Sequence, residues 1–74
     1  MNLNDAELGD DFTILNINAD SQLKNRFYSL GITKGSTASV IEVTLAKETI
    51  ELKLNKSRIA LRISEAKCIE IEKC

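Results

Sequence analysis

Residues 21–35 read SQLKNRFYSLGITKG: one short helix, a glycine stop and a second glycine, after which the chain alternates like a series of strands. A lone helix near the start of an otherwise all-β chain leaves few architectures open. Leu23, Phe27 and Leu30 fall at i, i+4 and i+7, one face of a helix, while Lys24, Asn25 and Ser29 fall elsewhere. Asp20 or Ser21 offers a side-chain oxygen to the unpaired N–H groups of the first turn. Gly31 follows the last apolar position, where a left-handed C-cap favours glycine. A helix of about ten residues is not stable alone in water, so its apolar stripe must dock on a sheet.

The strands are read from their alternation. Residues 12–17, FTILNI, form the first. Its parity breaks, with Phe12 and Ile14 on one face and Leu15 and Ile17 on the other, which a bulge or burial on both faces explains. Residues 37–45 form the second strand. Residues 49–55 form the third, with Ile50, Leu52 and Leu54 inward and Glu51 and Lys53 outward. Residues 58–63 form the fourth, with Ile59, Leu61 and Ile63 on one face and Arg58, Ala60 and Arg62 on the other. Ser64 caps a single helical turn through Lys67, and residues 68–72 form the last strand, with Ile69 and Ile71 inward. Turns fall at Gly9, at Thr33-Lys34-Gly35-Ser36, at Ala46-Lys47-Glu48 and at Asn55-Lys56-Ser57. The expected fold is mainly β: a small SH3-like barrel, closed or nearly closed, of about five strands with one short helix inserted after the first. Residues 1–74 make a single domain.

Composition narrows the function. Ten basic and eleven acidic residues are well mixed, giving a net charge of −1, which argues against nucleic acid as the partner. Residues 1–11 are acidic and lack the apolar core of a signal peptide, and no apolar run approaches the roughly 20 residues that span a bilayer. A cytoplasmic chain without direct membrane insertion is the expectation. Histidine is absent, so neither Cys68 nor Cys74 has an imidazole to activate it, and two lone thiols make no metal site. If residues 68–73 are extended, the thiols lie roughly 20 Å apart, too far for a disulfide. The carboxylates alternate with lysines on outward strand positions, a solvated surface rather than an acid–base pair. No catalytic, cofactor or metal residues are assigned.

Three binding readings remain. A proline-rich peptide groove needs more aromatics than Phe12, Phe27 and Tyr28, of which Phe27 belongs to the core. An RNA-binding barrel needs a basic aromatic surface, for which Arg26, Arg58 and Arg62 form at most a small patch. The third is a protein-interaction module, with Tyr28 as its exposed anchor or, equally, as a rim residue over the helix seam. Self-association through an open strand edge also stays available.

The residues now support a resemblance. Arg26-Phe27-Tyr28-Ser29-Leu30-Gly31-Ile32-Thr33-Lys34-Gly35 resembles the R-L-x-D-L-G-L-x-P-G block of FeoA proteins, and Gly9 with Ile14 and Ile17 resembles that family's opening strand. Ile59-Ala60-Leu61-Arg62, Glu65-Ala66 and Ile69-Glu70-Ile71 are similar to its L-A-L-R-x-x-E-A-x-x-I-x-V ending. Lys34 stands where the family usually has proline, Ser29 where it often has an acidic residue, and residues 44–49 replace its Pro- and Gly-containing hairpin. The resemblance implies an SH3-like fold and a non-catalytic accessory role in bacterial ferrous iron uptake. Its implied partner is the cytosolic, GTP-hydrolysing region of the FeoB membrane transporter, which would recruit the chain to the inner membrane. Partner-contact candidates are Arg26, Tyr28, Arg58 and Arg62. An arginine finger toward the GTPase is weaker than the reading in which these arginines pair with surface carboxylates or turn carbonyls. A related domain ends some iron-dependent repressors, but this chain carries no preceding DNA-binding helices, so a stand-alone accessory protein fits better. A small RNA- or protein-binding module unrelated to iron is the alternative.

Overall fold

Asp20 sets the start of the helix. In the computed structural model, which describes residues 1–44 and 48–74, its Oδ1 accepts from the Leu23 N–H at 2.8 Å and caps α1, Ser21–Ser29. A 3-10 turn, Leu3–Asp5, precedes β1, Asp11–Ile17. After α1 come β2, Thr37–Val43, and β3, Thr49–Leu54. β4, Ser57–Arg62, then leads into a short helix α2, Ile63–Ala66, and β5, Ile69–Lys73. The strands form one antiparallel sheet in the order β4-β3-β2-β1-β5. Among the described residues its ends, β4 and β5, are not hydrogen-bonded to each other, so the sheet is open rather than closed into a barrel.

One core lies inside this sheet. Phe12, Phe27, Ile32, Ile50, Leu52, Leu54, Leu61, Ile69 and Ile71 are all buried in a single apolar cluster. Ile50, Leu52, Leu54, Leu61, Ile69 and Ile71 come from alternating strand positions, Phe27 from the helical stripe and Ile32 from the loop after it. Leu23 and Leu30 are half-buried beside it, so Phe27 alone of the helical stripe is enclosed. Leu3 also reaches the core and is fully covered.

The parity break in β1 is a bulge. The β1–β5 register shifts between Ile14 and Asn16. The extra residue, Leu15, stays exposed, and Phe12, Ile14 and Ile17 all turn to the core. Alternation alone would have sent Ile17 to the other face. A second shift between Val40 and Glu42 bends β2 against β3. Such bends let a single short sheet curl around one core.

Several boundaries differ from the sequence reading. β2 ends at Val43, and the expected turn over residues 46–48 lies, apart from Glu48, outside the described residues. β4 stops at Arg62, because Ile63 already begins α2. The cap of that turn is therefore Arg62 rather than Ser64. Its N–H is held at 2.9 Å by Oε1 of Glu65, whose reach back over one helical turn replaces the hydroxyl cap. Gly31 and Gly35 have φ of +87° and +90°, as the expected helix stop and turn require. Cys68 is half-buried in the turn before β5, Cys74 is exposed, and neither forms a disulfide.

Candidate partner-binding surface

α1 presents two unlike sides. Phe27 is fully buried, and the neighbouring Arg26 and Tyr28 are exposed. Residues two apart on a helix do not face each other, so Arg26 and Tyr28 leave α1 in different directions. The Arg26 guanidinium goes to Glu65 on α2. Tyr28 keeps 49% of its surface accessible, a large exposed aromatic on this helix.

The other two arginines lie on β4. Arg58 Nε donates to Glu51 Oε1 at 3.0 Å across the β3–β4 pair. Among the described residues, no carboxylate pairs with the exposed Arg62 side chain. Arg58 and Arg62 are four positions apart on one face of β4, with Ala60 between them. Arg26 and Arg62 converge on the same residue, Arg26 through its side chain and Arg62 through its backbone N–H. The structure thus gathers Arg26, Arg58 and Arg62 around β4 and its exit into α2, with Tyr28 on another side of the helix.

Glu65 is the residue that sequence reasoning missed. It is nearly buried and carries both links. A signal existed: an acidic residue three positions after the last strand residue, in the first turn of a helix, is the reciprocal half of a capping box. Its contact with α1 had no such signal, since the two residues are far apart in sequence.

A third ion pair fastens the opposite end of the sheet. Asp10 accepts from the Glu7 N–H at 2.8 Å and from Lys73 Nζ at 3.1 Å. The Glu7 N–H first, and then Lys73, hold the Asp10 carboxyl below its ordinary value of 3.8. Among the described residues, no three acidic, thiol or imidazole side chains gather to hold a metal ion. Among the described residues, no helix is long and apolar enough to cross a membrane.

A curled five-stranded sheet with one helix between β1 and β2 is the architecture of an SH3-like module. The chain belongs to the FeoA domain family, whose model matches residues 1–73. It is 39% identical over 71 residues to Fe(2+) transport protein A of Campylobacter jejuni, covering 96% of each chain. The NMR structure of a FeoA-like protein from Clostridium acetobutylicum superimposes with a TM-score of 0.89 at 26% identity, over 99% of this chain and 85% of that one. The same fold recurs within a manganese-dependent transcriptional repressor, with a TM-score of 0.92 at 24% identity, over 100% of this chain and 36% of the repressor.

Proposed function

We propose that this chain is a non-catalytic accessory protein of ferrous iron uptake that binds the cytosolic, GTP-hydrolysing region of the FeoB membrane transporter. The observation that carries the reading is the family match over nearly the whole chain, joined by a relative of the same length named for Fe(2+) transport. On this reading the chain works in the cytoplasm and reaches the inner membrane through its partner. Tyr28 is its anchor, because an aromatic ring buries a large apolar area at little cost in side-chain entropy. The side of α1 that carries it is free, while Phe27 and Arg26 hold the helix to the body.

The test is a pull-down of the tagged chain from detergent-solubilised membranes, followed by titration of the purified cytosolic region of the recovered transporter. Recovery of the transporter, and weaker binding by Tyr28→Ala at unchanged melting temperature, is the expected result. Unaltered affinity for Tyr28→Ala would move the contact away from α1. Recovery of ribosomal proteins or RNA in place of the transporter would overturn the reading.

A further inference from the structure

The two ends of the sheet are finished differently. On β5, Asn2 bridges to Glu70 and the Ile71 N–H donates to the Met1 carbonyl at 2.7 Å, so the N-terminal residues cover that edge. On β4 the register decides which groups are free. Thr49 pairs with Arg62, and the next bond outward runs from the Ile63 N–H to the Glu48 carbonyl at 3.0 Å. That bond makes Thr49–Arg62 a non-hydrogen-bonded pair, and the alternation carries the same status to Glu51–Ala60 and Lys53–Arg58. The N–H and C=O groups of Arg58, Ala60 and Arg62 therefore point away from β3. Glu65 takes the Arg62 N–H. Among the described residues, the N–H groups of Arg58 and Ala60 have no partner, and both residues are exposed.

We infer that the open edge of β4 at Arg58 and Ala60 is a strand-addition site for an acidic extended segment of a different polypeptide. The occupant follows from charge. An added antiparallel strand centred on Ala60 places two of its residues, four apart and about 13 Å from each other, opposite Arg58 and Arg62. Acidic side chains at those positions meet two cations, one of them unpaired within the described residues. Ala60 leaves the space between them open. A second copy of this chain in the same register would set Arg58 against Arg62 of its partner, and like charges directly opposed destabilise a strand pair. The edge thus discriminates against its own kind and in favour of an acidic strand, with main-chain bonds supplying affinity and the arginines specificity.

The inference deepens the proposed partner contact, resting on it only for where the segment comes from. The probe is a synthetic peptide, acetyl-TEVTVET-amide, titrated into the isotope-labelled chain and followed by amide NMR, with acetyl-TKVTVKT-amide beside it. The acidic peptide is expected to shift the Arg58 and Ala60 amides and slow their exchange, and the basic one to leave them unmoved. Ala60→Pro removes an N–H that the β3 ladder does not use, so the chain should fold and bind the acidic peptide about tenfold or more weakly. Should that variant not fold, R58E/R62E, which changes two exposed side chains, is expected to exchange the preference in favour of the basic peptide. Unperturbed Arg58 and Ala60 amides at millimolar acidic peptide, or equal response to both peptides, would overturn the inference. Peptide binding at β4 without capture of the transporter would remove the transporter reading alone. Capture undiminished by Ala60→Pro, with no peptide response, would remove the edge alone.

Discussion

The Arg26 guanidinium on α1 and the Glu65 carboxylate on α2 form an ion pair that ties the inserted helix to the exit of β4. Glu65 has a second duty, accepting the Arg62 N–H at 2.9 Å with its other oxygen. One carboxylate thus closes the end of a strand edge and positions a helix that lies far from it in sequence. Electrostatics here serve placement more than stability, because Arg26 is half exposed and screened by water.

The asymmetry of that pair is measurable. Arg26→Ala removes one exposed cation and should cost no more than about 1 kcal/mol. Glu65→Ala removes the same ion pair and also leaves the partly buried Arg62 N–H without its acceptor, an expected loss of about 1–3 kcal/mol. Urea unfolding of the two variants separates them. Equal losses would show that the cap contributes nothing.

Gly31 is held by two constraints at once. Its φ is +87°, and a Cβ added there would lie 3.1 Å from Leu54 Cδ2. Gly9 shares the first constraint, with φ of +88°, but has nothing within 4 Å. Both Gly→Ala changes should cost about 1–2 kcal/mol through the backbone. Gly31→Ala should cost more, by whatever the Leu54 contact resists. Thermal melts of the pair measure that difference, and a Gly9→Ala protein that melts lower would refute the assignment.

Asp10 gives the fold a pH dependence of known sign. Its folded pKa lies below 3.8, so the folded state binds this proton less readily than the unfolded chain. Its contribution is fully present above the unfolded pKa and is lost as pH falls through the folded value. Asp10→Asn should therefore lower stability at neutral pH, by a deficit that shrinks as pH falls below the unfolded carboxylate value. Denaturation at neutral pH and at pH 2.5 tests this. A constant gap between the two proteins at both pH values would contradict it.

Local pattern explains how much of this was readable. Asp20, Phe27 and Gly31 specify α1 by capping, spacing and a left-handed stop, all within one short window. Ile50, Leu52 and Leu54 specify the inner face of β3 because strand side chains alternate strictly. The bulge at Leu15 was visible only as a contradiction in parity, and two solutions fitted it. The end of β4 was misread by one residue, since Ile63 continues the alternation although its backbone has already turned into α2.

The sequence by itself determined a small mainly β module with one docked helix, because alternation, caps and glycine stops act between near neighbours. It also determined the FeoA family membership, through blocks in a fixed order. Tertiary structure alone decided that Glu65 holds Arg26, that the N-terminal residues cover β5, and that, among the described residues, β4 keeps N–H groups free at Arg58 and Ala60. Those relationships depend on strand register and on which elements meet at the ends of a curled sheet. Register is fixed by the packing of the whole core and by its bulges, and no short window of residues contains that information.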